Sequence, residues 1–165
     1  RSTLFPYTTL FRSKAAIIKV GAATQTEMIE KKLRLEDAIS ATKAAIEEGI
    51  VPGGGATLVH LSEQLHQWAS KFLFSEELIG AQIVVKALSV PLATIVRNTG
   101  IKGNSIVHKI KKADFVMGYD ANRNKIVDMY LAGIVDPAKV TRSALQNASS
   151  IASTILTTEC IISDK

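Results

Sequence analysis

The spacing of apolar and charged positions predicts a long helix near the start of the chain, over residues 24–48. Apolar side chains recur at helical spacing along one face, and charged ones cover the other. Thr24 and Glu27 stand at the spacing of a capping box, which satisfies backbone donors at a helix start. Oppositely charged residues also lie four apart, as in Glu27 with Lys31, Glu30 with Arg34, and Lys43 with Glu47. The pattern therefore predicts an amphipathic helix whose polar face carries ion pairs.

Four further helices are predicted from apolar stripes. The stripes are Leu58, Leu61, Leu65 and Trp68; Leu78, Ala81, Val85, Leu88, Leu92 and Ile95; Ile106, Val107 and Ile110; and Val140, Ala144, Ala148, Ile151 and Ile155. Pro91 should break or kink the second of these helices, because proline lacks the amide hydrogen and clashes with the preceding turn. Asp136 before Pro137 predicts the start of the last helix, with Asp136 as its N-cap and Pro137 at its first position.

Strand signals are few. Residues 15–20 are a short β-prone run ended by Gly21, and residues 159–163 could form a terminal strand. Residues 115–119 and 125–129 flank a polar turn at 120–124, which predicts a β-hairpin. The fold predicted from these patterns is mainly α, with a small β-hairpin.

The glycine triplet Gly53–Gly55 precedes the second helix and offers a hypothesis about binding. Bare backbone lets a ligand approach closely, and a helix start combines free amide hydrogens with the positive end of the helix dipole. The alternative is a flexible connector between two helices. The triplet lacks the lysine and hydroxyl residue of a phosphate-binding P-loop, so taken alone it is a weak signal.

Composition narrows the class of protein. The 165 residues are 47% hydrophobic and 21% charged, which is typical of a globular chain with an aliphatic core. We find no apolar run that approaches the roughly 18 residues needed to span a bilayer, and expect no membrane segment. The single cysteine, Cys160, cannot form an internal disulfide and is interpreted as a small buried residue.

The net charge of +5 raises the possibility of nucleic-acid binding. The only local basic cluster consists of Lys102, Lys109, Lys111 and Lys112, and no aromatic residues interleave with it to stack on bases. We interpret the cluster as a solvated face. A helical interaction module that binds nucleic acid through these lysines is kept as the alternative function.

Candidate chemistry rests on carboxylates. His60, His66 and His108 have no partners at ligand spacing, so no metal site is predicted. We interpret Asp37, inside the long helix, as a solvated surface acid, and Asp136 as an N-cap. Either could instead orient a water or metal, or accept a hydrogen bond from a sugar hydroxyl.

Several motifs together resemble a group I chaperonin of the GroEL type, over residues 15–165. They are Ile17-Ile18-Lys19-Val20-Gly21-Ala22-Ala23-Thr24, Leu35-Glu36-Asp37-Ala38, Glu47-Glu48-Gly49-Ile50-Val51-Pro52-Gly53-Gly54-Gly55, and the run from Asp136 through Gln146 to Thr157-Thr158-Glu159-Cys160. The resemblance implies an intermediate-domain strand and long helix over 14–48, and the second part of a multihelical equatorial domain over 49–165. Residues 1–13 do not resemble the family and are expected to be foreign.

The resemblance also implies an ATP-dependent chaperone that folds proteins inside a homo-oligomeric ring. Co-chaperonin and unfolded polypeptides would bind an apical domain outside this chain. The expected setting is a bacterial cytoplasm or an organelle stroma or matrix. Because the phosphate loop and the Mg²⁺ ligand belong to the first half of such proteins, we expect this fragment alone to be inactive and poorly soluble.

Site residues follow from the same resemblance. Asp37 corresponds to the carboxylate that activates the attacking water, and Gly54 to a nucleotide-contacting glycine. Asp120, Ala121 and Asn122 correspond to the turn beside adenine, and Asp136 to the acid that contacts ribose. Two positions depart from the family: Asp120 replaces the usual Asn, which loses an amide donor, and Asn122 replaces a small Ala.

Overall fold

The computed structural model describes residues 17–160 and residue 162. Two compact units make up the chain, residues 1–40 and residues 41–165. Each is described separately. The predicted foreign leader at 1–13 lies outside the described residues.

The described residues form six helices and four short strands. In chain order they are α1 (Gln25–Glu48), β1 (Ile50–Pro52), α2 (Ala56–Phe72), α3 (Ser75–Leu88), α4 (Val90–Asn98), α5 (Gly103–Lys111), β2 (Met117–Asp120), β3 (Lys125–Asp128), β4 (Val135–Pro137) and α6 (Ala138–Leu156). The mainly helical class predicted from the sequence is confirmed.

The long helix α1 begins as predicted, with half of a capping box. The hydroxyl of Thr24 accepts a hydrogen bond from the backbone N–H of Glu27 at 3.3 Å. The Glu27 carboxylate pairs forward with Lys31 at 2.8 Å. The predicted pair of Glu30 with Arg34 is also present, at 2.5 Å. These exposed pairs at helical spacing each stabilise a helix by only a few tenths of a kcal/mol.

Two antiparallel strand pairs build the β structure. In the predicted hairpin, β2 pairs with β3 so that Gly118 lies opposite Val127. The second pair joins β1 to β4, with Val51 opposite Asp136, although four helices and the hairpin separate these strands in sequence. The second pair was not predicted, because nothing in a three-residue strand identifies so distant a partner.

The core lies in the unit of residues 41–165. It is formed by α2, α4, α5 and β2, through Val59, Leu92, Val96, Val107, Ile110 and Tyr119. The short helix that holds Val107 and Ile110 is therefore confirmed, with its predicted apolar face inward. Pro91 interrupts the third predicted helix as expected, because α3 ends at Leu88 and α4 begins at Val90.

Both predicted terminal strands are wrong where the structure describes them. Residues 17–20 have no strand conformation, and neither do residues 159, 160 and 162. A strand needs a hydrogen-bonded neighbour, and within the described ranges these segments have none. β-propensity alone does not hold a strand in place.

Other predictions on burial also need correction. Cys160 is exposed, because it follows the end of α6 and packs into nothing. On α2 the buried positions include Val59, Ser62 and Ala69, whereas Trp68 of the predicted stripe is half exposed. The helix carries apolar residues on two faces, and the helical period does not say which face meets the core.

The expectation that no apolar run is long enough to span a bilayer was wrong for residues 75–98. By length and composition alone this stretch is long and apolar enough to cross a membrane, with a mean hydropathy of 1.8 over 18 residues. In the structure it is divided between α3 and α4.

Candidate functional site

The glycine turn Gly53–Gly55 connects β1 to α2 and has a defined conformation. Gly54 and Gly55 have φ values of +62° and +79°, in the left-handed region that side chains disfavour. The N–H of Gly53 donates to the carbonyl of Ile134 at 3.0 Å. A Cβ on Gly55 would lie 3.0 Å from the backbone nitrogen of Leu92. The turn is thus packed and hydrogen-bonded, unlike a flexible connector.

The helix α2 begins directly after this turn without a side-chain cap. Gly55 is its N-cap residue and has no side chain to accept from the first amide hydrogens. The hydroxyl of Thr57 instead donates to the carbonyl of Pro52 at 2.7 Å. The start of α2 therefore keeps the partial positive charge of a helix N-terminus beside a bare backbone.

Asp136 lies on β4, and its prediction as the N-cap of α6 is wrong. The helix begins at Ala138, and the extended Pro137 precedes it without a side-chain cap. Strand pairing with Val51 holds Asp136 extended, and its carboxylate lies beside the backbone amide of Gly54, which favours the charged form. Burial raises the pKa of Asp136 above its ordinary value, and the Gly54 hydrogen bond opposes that rise.

The hairpin turn is held by the side chain of Asp120, which is buried. Its Oδ1 accepts hydrogen bonds from the backbone N–H groups of Asn122 at 2.9 Å and Arg123 at 3.2 Å. This Asx turn points the carboxylate into its own loop. Asn122 is exposed at the tip, and Ala121 is half-buried. An aspartate suits this role because it only accepts hydrogen bonds here.

The glycine turn also lies close to the hairpin. A Cβ on Gly54 would be 3.9 Å from the carbonyl oxygen of Tyr119, the residue before Asp120. The structure thus brings Gly54 and Asp136 into direct contact and places β2 beside them. A groove of about 380 Å³ opens next to Asp136, between α2, the α3–α4 junction and α6. Its lining contains Gly55 and Thr57, but neither Gly54 nor the hairpin turn.

Asp37 belongs to the other unit. It is exposed on α1, and within residues 17–160 its carboxylate takes part in no hydrogen bond or ion pair. An exposed carboxylate without such partners leaves its oxygens free to accept hydrogen bonds, including one from a water molecule.

The end of α1 is anchored to the start of α6 by ion pairs within residues 41–165. Arg142 binds the Glu48 carboxylate through two hydrogen bonds, of 2.6 and 3.0 Å. This hydrogen-bonded pairing lowers the pKa of Glu48 and raises that of Arg142. Glu47 pairs with Lys139, rather than with Lys43 as the helical spacing predicted. Both acids are thereby tied to a helix that is remote in sequence.

Comparisons with known proteins decide the family. The family model described as the TCP-1/cpn60 chaperonin family matches residues 5–165. The chain belongs to this chaperonin family. The matched range includes residues 5–13 of the stretch that we expected to be foreign.

The relatives of this chaperonin chain are named as GroEL proteins. "Chaperonin GroEL, chloroplastic" of Gracilaria tenuistipitata var. liui is 65% identical over 91% of the chain. "Chaperonin GroEL 3" of Acaryochloris marina is 60% identical over the same share. The chain spans about 28% of the length of these two relatives.

A solved structure supports the fold of this chaperonin segment. A group III chaperonin in the open state superposes with a TM-score of 0.76 and 32% identity, over 87% of this chain and 30% of that one. The segment is therefore a chaperonin fragment of the equatorial and intermediate type. No comparison favours the alternative of a nucleic-acid-binding module.

Several contacts of this chaperonin site were missed by sequence reasoning. Ile134 supplies the carbonyl that fixes Gly53, and Met129 fills the space above Gly54. Neither lies in a motif, and both act on a turn far away in sequence. The sequence could have indicated only Thr57, whose hydroxyl follows the glycines directly.

The residues present fit part of a nucleotide. The Asp136 carboxylate has further acceptor capacity, which suits a sugar hydroxyl, and Gly54 beside it carries no side chain. Within the described residues no group of three side chains could hold a metal ion.

Proposed function

We propose that this segment is the C-terminal part of a group I chaperonin that hydrolyses ATP to drive protein folding. Residues 14–48 would belong to its intermediate domain and residues 49–165 to its equatorial domain. The GroEL names of the relatives at 60–65% identity support the group I assignment.

The observation that carries the proposal is the contact between Gly54 and Asp136. A backbone amide in a glycine turn lies beside a half-buried carboxylate in a two-stranded sheet and favours its charged form. That arrangement fixes an acceptor beside bare backbone, which is what recognition of a ribose requires. The turn at Asp120, Ala121 and Asn122 would lie against the adenine, and Gly54 would face the sugar and phosphates.

Asp37 would act on the water that attacks the terminal phosphate. Its carboxylate would accept a hydrogen bond from that water and take up its proton as the new bond forms. An exposed acid on α1 without an ion-pair partner is available for this role. ATP supplies the phosphoanhydride bond whose cleavage drives the cycle. Its Mg²⁺ would be held by residues of the family outside this segment.

The assembly, partners and cellular location of the full-length protein belong to the same proposal. It would assemble as a homo-oligomeric ring, with co-chaperonin and unfolded polypeptides bound by its apical domain. The chloroplastic name of the Gracilaria relative supports an organelle stroma, and a bacterial cytoplasm is the alternative. No membrane or nucleic-acid partner is proposed.

A chimera tests this function. Residues 14–165 would replace the matching segment of Acaryochloris marina GroEL 3, and the steady-state ATPase rate of the purified rings would be measured. Asp37→Asn should lower kcat at least about 100-fold with little change in KM, because the acid acts after nucleotide binds.

The neighbouring Glu36→Gln is the matched control for this test. Glu36 lies on the same helix and pairs only with Lys32 at 3.5 Å, so its loss should leave the rate within about twofold. The 165-residue chain alone should show no ATPase activity. Full activity in the Asp37→Asn rings, or an Asp37-dependent rate from the chain alone, would contradict the proposal.

A further inference from the structure

Met129 follows β3 directly and is fully buried. Its N–H donates to the carbonyl of Val116 at 2.9 Å, and its own carbonyl accepts from the N–H of Ile134 at 2.8 Å. The residue thus begins the loop that leads to β4 and Asp136. Its backbone ties that loop to Val116, the residue directly before β2.

The side chain of Met129 lies over two glycines. A Cβ on Gly54 would be 3.5 Å from its Cε, and a Cβ on Gly118 would be 2.5 Å from its Sδ. The same Cβ on Gly118 would lie 2.9 Å from the Cβ of Ala56, the first residue of α2. The thioether therefore occupies the space that a side chain at Gly118 would fill, and it lies in van der Waals contact with the Cβ position of Gly54. An unbranched, flexible side chain is suited to such an irregular gap.

Three segments meet at this side chain. Gly54 belongs to the glycine turn, Gly118 to the strand that runs into Asp120–Asn122, and Met129 to the loop that ends at Asp136. Each segment carries one set of the nucleotide contacts proposed above.

The geometry points to Met129 as a positioning residue that sets the spacing between the base side and the ribose side of the nucleotide site. This inference rests on the proposed function, since the spacing matters only if a nucleotide bridges the two sides. Met129 itself need not touch the ligand. It holds the hairpin and the glycine turn apart by the width of its side chain.

Truncation of Met129 should loosen this spacing. In the chimeric rings, Met129→Ala leaves a cavity that the three segments can partly close, which shifts the base-side turn relative to Gly54. We expect KM for ATP to rise about tenfold, while kcat stays within about twofold, because the water-activating acid lies elsewhere. Met129→Leu, which keeps most of the volume, should restore KM to within about threefold of the parent.

Val96→Ala is the matched control. Val96 is equally buried in the same core, on α4, and lies outside the three segments. It should lower the melting temperature of the rings without changing KM. If Met129→Ala rings do not assemble, Met129→Val carries the same test with a smaller cavity.

The outcomes separate this inference from the proposed function. Chimeric rings without ATPase activity would overturn the proposed function, and this inference with it. Active rings in which Met129→Ala leaves KM unchanged, or in which Val96→Ala raises KM equally, would overturn the inference alone. A raised KM that Met129→Leu restores would support it.

Discussion

Asp136 combines a half-buried carboxyl group with a hydrogen bond from the Gly54 amide, and these two features act on its charge in opposite directions. Burial dominates, so its pKa in the folded chain lies above the ordinary value. The folded state then binds more protons than the unfolded state between the two pKa values. Asp136 therefore favours folding most at low pH, and this contribution falls as the pH rises through that interval.

Replacing Asp136 by Asn should stabilise the fold at neutral pH and weaken nucleotide binding. Asp136→Asn keeps an oxygen for the Gly54 N–H and removes the buried charge, so the variant should melt at a higher temperature than the parent at neutral pH. The difference should shrink as the pH falls below the ordinary Asp pKa of about 4. Thermal unfolding of the chimeric rings across this range measures it. Nucleotide affinity should drop about tenfold, because a charged acceptor is replaced by a neutral one.

Asp114→Asn is the control for this prediction, because Asp114 is exposed after α5. It should shift neither the melting temperature nor the affinity. A melting temperature for Asp136→Asn that lies below the parent's at neutral pH would mean that the ionised form is needed for folding.

Residue identities alone could not assign the roles of these acids. Asp before Pro favours an N-cap, yet the pairing of β4 with β1 draws Asp136 into a strand. Asp120 was expected to face the base, but the two amide hydrogens of its own turn hold its carboxylate. In both cases the deciding partner is backbone, and a sequence motif does not show where backbone amides point.

At the scale of elements, the turn between β1 and α2 requires glycine because of its packing as well as its backbone angles. Gly55→Ala should destabilise the fold by about 2 kcal/mol, because it combines a left-handed φ with a close approach to Leu92. Gly80→Ala, inside α3 with nothing near its Cβ position, should stabilise by up to about 1 kcal/mol. Urea unfolding of the two variants distinguishes these opposite signs. Equal effects of the two substitutions on the free energy of unfolding would contradict the close packing at Gly55.

The helices were predictable because their signal is local. The long helix, the break at Pro91 and the hairpin all follow from residues within a few positions of one another. The prediction of which face of α2 is buried was wrong, because that face is chosen by α4, α5 and β2, which follow later in the chain. The Glu47–Lys139 and Glu48–Arg142 pairs were missed for the same reason.

At the scale of the whole chain, apolar side chains remain exposed on α3 and α6. The larger ones are Ile79, Ile83, Val140, Ile151, Ile155 and Leu156. No side chain of α6 is buried, although its stripe has the period of a packed helix. Surfaces of this kind normally meet another part of the protein. The chain spans less than a third of its GroEL relatives, which is consistent with missing neighbours.

The isolated chain should therefore self-associate. Light scattering after size-exclusion chromatography should show large, heterogeneous species at micromolar concentrations. The combined variant Ile151→Ser, Ile155→Ser should shift the chain towards smaller species, whereas Lys43→Ser on the polar face of α1 should not. A compact monomer with a sharp cooperative melt would show that these exposed faces need no partner.

The pairing of β1 with β4 has a consequence for biosynthesis. The glycine turn leaves the ribosome long before Ile134 and Asp136, the two residues that hold it, have been translated. Closing so long an intervening stretch is entropically costly and slow compared with forming the helices between. During translation the nascent chain therefore carries its helices while the glycine turn still lacks β4 and the Ile134 carbonyl that hold it.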